Sequence, residues 1–158
     1  MKKYALLTWI LIFFMMAFFL RPCFAQPEDK EIYFWLNKQM GAAYENGQLV
    51  RSFRIISGCD RPARSQNGSW HYKPTPKGTY RAINKVFGYS IKYEADMPYA
   101  IQFKPGHYIH AWAWDEPLPE PGHPFASHGC ISLDLDDAKF LFNWAPIGTI
   151  IYIWGERK

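Results

Sequence analysis

Residues 1–25 have a hydrophobic pattern that separates them from the rest of the chain. Residues 4–20 are almost wholly apolar and follow the basic pair Lys2-Lys3. Cys23-Phe24-Ala25 then places small residues at the two positions that a signal peptidase reads. We therefore expect a signal peptide over residues 1–25, with cleavage before Gln26 and export of the mature chain. The apolar run also approaches the roughly 17 to 25 residues that span a bilayer, so an uncleaved inner-membrane anchor is the alternative.

The mature chain alternates apolar and polar positions in short runs that are typical of β-strands. Ile32 and Phe34 share one face of a strand predicted over residues 31–38. Asn46-Gly47 predicts a tight hairpin turn, because both residues tolerate positive φ. The other predicted strands are Gln48–Ser57, Gly78–Phe87, Tyr99–Phe103, Tyr108–Trp114 and Thr149–Trp154.

One segment, residues 135–144, has helical periodicity instead, since Leu141 and Trp144 recur at helical spacing. Asp134 or Asp136 can cap its first turn, where the positive end of the helix dipole favours acidic side chains. This segment predicts one short helix, which follows Cys130 in the chain.

Two stretches carry few strand signals and are predicted loops. Residues 58–74 are rich in Arg, Ser, Asn, Gly and Pro, and residues 115–126 hold four prolines, as a flap would. The whole pattern predicts a mostly β fold, an antiparallel β-sandwich or barrel with one short helix. Residues 26–158 suit a single domain.

Charge and composition limit the classes of molecule that the protein is expected to bind. The formal net charge of +4 falls to +1 once Lys2, Lys3 and Arg21 leave with the leader. Without a basic block in the mature chain, we expect no nucleic-acid partner. Aromatic residues make up 18% of the chain. They are consistent with a dense core or with a surface that faces carbohydrate, and the sequence does not choose between the two.

Cys130 is the main candidate for chemistry, in the segment Ser127-His128-Gly129-Cys130-Ile131-Ser132. A cysteine attacks carbonyl groups as its thiolate, and a nearby imidazole can take the thiol proton. His110 lies a short loop upstream, on a predicted strand. A buried structural cysteine is the plainer alternative.

These residues resemble the catalytic motif of the YkuD-type L,D-transpeptidases: a histidine, a spacer of similar length, then Ser/Thr-His-Gly-Cys. Three further segments match that family in the same order. They are Tyr44–Val50 as the first hairpin, Thr75–Tyr80 as the Thr-Pro-x-Gly-Thr-aromatic turn, and Gly148–Ile153 as the closing strand. The resemblance covers about residues 31–154.

The resemblance implies a cysteine acyltransferase that acts on peptidoglycan stem peptides in the periplasm or cell envelope. Cys130 would be the nucleophile and His110 the base, and a thioester would be passed to an amine. The product would cross-link two stems or anchor a protein to the wall. The resemblance implies no cofactor, and it implies acylation of Cys130 by carbapenem-type β-lactams.

The motif around Cys130 predicts supporting roles. Ser127, His128 and Gly129 are expected to support the loop, and the backbone N–H groups of His128, Gly129 and Cys130 could stabilise an oxyanion. In similar enzymes a main-chain carbonyl or small polar group just after the histidine orients it, and here Ala111 offers only its backbone. His107 is a weaker candidate base, expected in a solvent-exposed turn.

Substrate contacts are less certain from the sequence. Ser132 stands where the family usually has Arg or Asn, and a short hydroxyl cannot make a bidentate contact with a carboxylate. Arg61, Arg64 or Lys73 could compensate from the long loop. Trp112 and Trp114 share the predicted face of His110, where they either line the cleft or pack in the core.

Several alternatives stay open. Cys59 and Cys130 could form a disulfide in an exported protein, permanent or reversible. Zinc would suit histidine and thiolate ligands, but the spacings of the histidines at 107, 110, 123 and 128 match no tight site, so no metal is expected. Two functional rivals remain: an L,D-carboxypeptidase or amidase that uses water as acceptor, and a non-catalytic wall-binding surface protein.

Overall fold

The structure, a computed structural model, describes residues 29–64, 68–90, 95–113, 115–120 and 126–157. The predicted leader (1–25), Trp114 and His123 lie outside the described residues. In chain order the elements are β1 (Lys30–Trp35), β2 (Met40–Glu45), β3 (Gln48–Arg54), β4 (Ala63–Arg64), β5 (Trp70–His71), β6 (Gly78–Arg81), β7 (Asn84–Ser90), β8 (Ala95–Lys104), β9 (His107–Ala111), β10 (Ile131–Leu133), α1 (Leu135–Trp144) and β11 (Ile150–Trp154).

The strands form two main sheets, ordered β3-β2-β1-β11-β6 and β10-β9-β8-β7. Neighbouring strands are antiparallel except in the pairs β1–β11 and β9–β10, which are parallel. Both sheets and α1 contribute buried side chains to one hydrophobic core, among them Phe34, Ile101 and Leu141. The predicted mostly antiparallel sandwich with one short helix is therefore confirmed, and the sheets do not close into a barrel.

The period-2 pattern of β1 explains how the first sheet faces this core. Ile32 and Phe34 are fully buried, whereas Tyr33 and Trp35 lie on the opposite face. The predicted turn joins β2 to β3, with Asn46 at φ 51° and Gly47 at φ 76°. These positive angles match the twist of the two strands, which is why the Asn-Gly pair predicts the hairpin.

Aromatic residues occupy both the core and the outer face of the first sheet. On that outer face five rings contact one another: Tyr33, Trp35, Tyr44, Tyr152 and Trp154. Because Tyr33 stacks on Tyr152 with ring centroids 4.7 Å apart, part of the aromatic content is used in pairing rings rather than in filling the core.

Helix α1 has the predicted bounds, but its cap differs from the prediction. Asp134 occupies the N-cap position without a side-chain bond to the first turn. Its carboxylate instead accepts the Leu118 N–H at 2.7 Å, which ties the start of the helix to the loop after β9. Asp136 and Asp137 lie in the first turn, where their charges suit the helix dipole.

Two other predictions are corrected by the structure. The predicted loop over residues 58–74 contains the β4–β5 hairpin, whose two-residue strands are too short to show alternation. The strand predicted over Gly78–Phe87 is divided at Ala82 and Ile83. The N–H of Ala82 bonds to Thr149 in the first sheet, and that of Ile83 bonds to Gln102 in the second, so the chain changes sheets there.

The other strand predictions agree with the structure to within a few residues, although β9 ends at Ala111 rather than at Trp114. Within the described ranges, no helix is long and apolar enough to cross a membrane.

Candidate active site

The parallel ladder between β9 and β10 brings the two candidate catalytic segments side by side. Ile109 is in register with Ile131, and His110 with Ser132. Ile109 and Ile131 belong to the core, so alternation turns His110 and Ser132 to the other face of this sheet. Cys130 precedes β10 by one residue, two positions before Ser132. The ladder therefore places Cys130, which directly precedes β10, on the segment next to the strand of His110.

His110 has a fixed orientation. Its Nδ1 lies 2.6 Å from the carbonyl oxygen of Ala111, and since a carbonyl only accepts, Nδ1 carries the proton. In the neutral ring Nε2 is then left as the acceptor, which is the nitrogen that a general base needs. Burial lowers the pKa of His110, and the bond to Ala111 opposes that shift only partly. The imidazole is thus neutral at neutral pH.

Cys130 is buried, with 6% of its surface exposed. Burial raises the pKa of its thiol above the usual value of 9.0, and a hydrogen bond from the Tyr108 backbone N–H acts in the opposite direction. Both directions favour a neutral thiol and a neutral imidazole as the resting pair.

Ser127 bridges the loop that carries the thiol. Its N–H donates to the carbonyl of Ser57 at 3.1 Å, and its hydroxyl donates to the carbonyl of Cys130. The Gly129 N–H donates to the same hydroxyl at 3.2 Å. One of the three backbone donors predicted for an oxyanion is therefore engaged within the loop, and stabilisation of an oxyanion by Gly129 requires that bond to break.

Gly129 is the position where this loop has no room for a side chain. It adopts φ +101°, and a Cβ built there would lie 3.1 Å from Nε2 of His107 and 3.4 Å from the carbonyl oxygen of Pro74. His107 is consequently half-buried against the loop, and the predicted solvent exposure of this residue is wrong. Its Nδ1 bonds to the carbonyl of Pro105 at 3.1 Å.

Thr75, from the Thr-Pro-Lys-Gly-Thr segment, is hydrogen-bonded to the same loop. It is 1% exposed; its hydroxyl accepts the Gly58 N–H at 2.8 Å and donates to the carbonyl of Cys130 at 3.4 Å. A Cβ at Gly58 would lie 2.2 Å from the carbonyl oxygen of Lys73, so the two segments meet backbone to backbone. The sequence indicates a turn here but gives no sign of this bond to the cysteine.

Two further residues that support the loop were not predicted from the sequence. His71 lies 3.2 Å from the carbonyl oxygen of Ala126 through Nε2, and its ring packs on that of His128. Arg157 donates from Nη1 to the carbonyl of Ser57 at 2.7 Å. Neither residue belongs to a periodic run or a local motif, so only the fold reveals their contacts with the loop.

The predicted substrate-binding residues are only partly described. Ser132 is 2% exposed and pairs with Ile56 through the backbone. Its side chain is therefore buried, and it is also uncharged. Trp112 is half-buried and directly follows β9. Its backbone N–H donates to the carbonyl of Leu133 at 2.8 Å. The side chains of Arg61, Arg64 and Lys73 are exposed. Lys73 interacts electrostatically with His128, and the backbone carbonyl of Arg64 accepts the Ala126 N–H.

Both cysteines of the described region are free thiols. Cys59 is buried and donates to the carbonyl oxygen of Arg157 at 3.2 Å, and it packs with Ala63 and Ala126 in a small second cluster. No three His, Cys, Asp or Glu side chains converge as metal ligands within the ranges that the structure describes.

Comparison with known proteins now decides the family. The profile of the YkuD family, described as the L,D-transpeptidase catalytic domain, matches residues 29–153. The chain belongs to the L,D-transpeptidase catalytic domain family. The match contains every residue of the candidate site described above except Arg157.

Individual relatives agree with this assignment. The chain is 32% identical over 94 residues to the Probable L,D-transpeptidase 3 of Mycobacterium tuberculosis, covering 51% of this chain and 34% of the relative. A crystal structure of an L,D-transpeptidase from Stackebrandtia nassauensis superposes with a TM-score of 0.66 at 22% identity, covering 87% of this chain and 61% of the other. The structure of LdtMt1 in complex with imipenem gives 0.64 at 21% identity, covering 80% and 59%.

Low sequence identity and partial coverage limit what these similarities establish. At such identities the two structural matches establish the fold of this L,D-transpeptidase domain. The chain spans about a third of the curated relative's length and about three fifths of each matched structure.

Proposed function

We propose that this protein is an exported L,D-transpeptidase that acts on peptidoglycan stem peptides through a thioester at Cys130. The observation that carries the proposal is the β9–β10 ladder, which sets His110 beside the segment of Cys130 with Nδ1 tied to Ala111. Family membership supports the reaction class. A base with a fixed tautomer next to a buried thiol is the arrangement that acyl transfer needs.

The proposed chemistry begins from the neutral pair. As the thiol sulfur attacks the carbonyl of the L-to-D peptide bond, Nε2 of His110 takes the thiol proton, and a tetrahedral oxyanion forms. The imidazolium then gives that proton to the departing amine, the C–N bond breaks, and the donor remains as a thioester on Cys130. The amine of a second stem peptide then attacks the thioester as His110 takes its proton. The new amide bond forms, the C–S bond breaks, and the departing thiolate of Cys130 regains the proton from His110.

The proposal is tested with a purified tetrapeptide muropeptide as donor, with and without a second stem as acceptor amine, and with products followed by mass spectrometry. A cross-linked dimer that depends on both Cys130 and His110 is expected. If the tripeptide alone accumulates with the acceptor present, the enzyme is an L,D-carboxypeptidase. If neither product forms and Cys130 does not react, the protein is a wall-binding protein without catalysis.

Carbapenem acylation belongs to the same proposal. The matched structure of LdtMt1 is a complex with imipenem. For this chain we propose that a carbapenem carbonyl takes the place of the donor peptide, so that the β-lactam ring opens onto the sulfur of Cys130. The leaving amine stays attached to the adduct, so acylation adds the whole mass of the carbapenem to the protein.

Export is proposed from the leader alone. Basic residues, an apolar run and Cys23-Phe24-Ala25 precede the catalytic domain, and peptidoglycan lies outside the cytoplasmic membrane. The mass of the protein recovered from the cell envelope tests this proposal. A chain that begins at Gln26 supports cleavage, a full-length chain in the membrane fraction indicates an anchor, and a full-length chain in the cytoplasm contradicts export.

A further inference from the structure

The β4–β5 hairpin stands apart from the two main sheets and reaches the loop that carries the thiol. Trp70 and Tyr72 are exposed on either side of His71, whereas the His71 side chain turns inward, as strand alternation requires. Its Nε2 lies 3.2 Å from the carbonyl oxygen of Ala126, the residue that precedes Ser127. Because that oxygen accepts, Nε2 of His71 carries the proton.

The hairpin holds Ala126 from both sides of its peptide. The Ala126 N–H donates to the carbonyl of Arg64 on β4 at 2.9 Å, while its carbonyl accepts from His71 on β5. Ala126 also packs with Ala63 and Cys59. The loop therefore starts from a buried residue whose N–H and carbonyl are both hydrogen-bonded. Any displacement of His71 is therefore transmitted directly to Ser127 and to the segment that leads to Cys130.

The ring of His71 makes a second contact with the loop. It packs on the ring of His128 with centroids 4.2 Å apart and planes inclined by 33°. Its Nδ1 is buried and has no hydrogen-bond partner among the described residues. The imidazole of His71 therefore serves both ring packing on His128 and hydrogen bonding to Ala126.

The pair also bears on the charge of the loop. Burial lowers the pKa of His128, and its electrostatic interactions with His71 and Lys73 lower it further. On the other side of the loop, His107 lies against Gly129. The loop thus runs between two imidazole contacts, and its position depends on both.

We propose that His71 is a positioning residue for the Cys130 loop, which it holds through the bond from Nε2 to Ala126 and through its packing on His128. This inference rests on the proposed acyl transfer at Cys130. His71 acts through the loop, by its bond to Ala126 and its packing on His128, rather than on the reacting atoms. Its loss should slow acylation by misplacing the thiol and the backbone donors while leaving the rest of the fold intact.

The test compares His71→Gln with His71→Asn in the full-length protein. A glutamine amide reaches about as far as Nε2 and can donate to Ala126, whereas the shorter asparagine amide corresponds to Nδ1 and cannot. The rate constant for acylation by imipenem is measured by intact mass at several concentrations, which separates reversible binding from the chemical step. The amide signals of Ser127 and Gly129 are followed by NMR as a readout that needs no activity.

We expect His71→Asn to slow the chemical step about tenfold, the effect of one lost hydrogen bond, and to shift both amide signals. His71→Gln should recover most of the rate. Tyr72→Ala, a matched change at the exposed neighbour, should leave the rate and both signals unchanged. Thermal unfolding of each variant shows whether it remains folded at the temperature of the assay.

The inference is overturned if His71→Asn acylates at the parental rate. If glutamine and asparagine are equally slow, the role of the Nε2 bond is overturned, since both variants lack the ring and only glutamine can make that bond. Failure of the proposed function looks different, because the parent itself would form no adduct. The NMR arm still decides the positioning role in that case. Unchanged signals of Ser127 and Gly129 in His71→Asn would contradict it.

Discussion

Ser132 lies directly opposite His110 in the parallel ladder between β9 and β10, and only 2% of its surface is exposed. The family resemblance of the Cys130 motif implies Arg or Asn at this position. Here the strand is enclosed, since Ile56 pairs with Ser132 through two backbone hydrogen bonds of 2.9 and 2.8 Å. A small residue therefore fits beside the proposed base, and under the proposed function other groups would recognise the donor carboxylate.

This relationship predicts the effect of restoring the family's arginine. Ser132→Arg should lower the free energy of unfolding by about 3 kcal/mol, because the side chain overpacks an enclosed position and brings a charge with it. It should also slow acylation by displacing His110. Chemical denaturation and the imipenem rate check both effects. Ser52→Arg, at an exposed strand position, is the control. It should change the free energy of unfolding by no more than about 0.5 kcal/mol and leave the acylation rate unchanged. Faster acylation in Ser132→Arg would show that the position has room for the family's residue.

Thr75 predicts a second, separable effect. Thr75→Val keeps the volume of the side chain but leaves the buried Gly58 N–H without its acceptor, at a cost of about 2 kcal/mol in unfolding free energy. The carbonyl of Cys130 loses a donor as well, so acylation should slow several-fold. Thr75→Ser keeps the hydroxyl and should retain the rate. Thr79→Val, at an exposed strand position, is the matched control, and an equal loss in that variant would contradict the assignment.

Gly129 and Gly148 allow backbone strain to be separated from contact with the site. Both have positive φ, +101° and +93°, so alanine costs about 1 kcal/mol of stability at either position. Only at Gly129 would the new Cβ meet other atoms, those of His107 and Pro74. We expect Gly129→Ala to slow acylation tenfold or more and Gly148→Ala to leave it unchanged. Equal rates for the two variants, measured by intact mass, would refute a constrained loop.

The pKa shifts predict different pH profiles for two reactions of Cys130. Carbapenem acylation needs the neutral base, and because the pKa of His110 is below its usual 6.5, the rate should rise through acidic pH and be level by pH 7. Alkylation by iodoacetamide needs a preformed thiolate, and since the pKa of Cys130 is above 9.0, that rate should still be rising at pH 9. Both rates are measured in Cys59→Ala so that one thiol reports. An alkylation rate already level at pH 7 would indicate a resting thiolate–imidazolium pair.

Local patterns were sufficient to predict much of this fold. The bounds of α1 follow from the spacing of Leu141 and Trp144, and the β2–β3 hairpin follows from Asn46-Gly47, because each of these signals acts within a few residues. The alternation of β9 likewise predicts that His110 faces away from Ile109. Family resemblance added the pairing of His110 with the Cys130 motif, which no local pattern specifies.

What the sequence could not predict depends on contacts between distant segments. His71 meets Ala126 across 55 positions, and Arg157 meets Ser57 across 100, so neither contact leaves a local trace. The environment of Cys130 is another example. Glycine and histidine neighbours suggested an activated thiolate, but burial by both the loop and the sheet has the larger effect on its pKa.

Intact mass after incubation with imipenem tests the central claim most directly, in the parent protein, Cys59→Ala, Cys130→Ala and His110→Ala. The account predicts one adduct in the parent and in Cys59→Ala, none in Cys130→Ala, and an adduct that forms at least a hundredfold more slowly in His110→Ala. Absence of an adduct in folded, reduced parent protein would contradict it. So would an adduct that persists in Cys130→Ala, because the nucleophile would then be another residue.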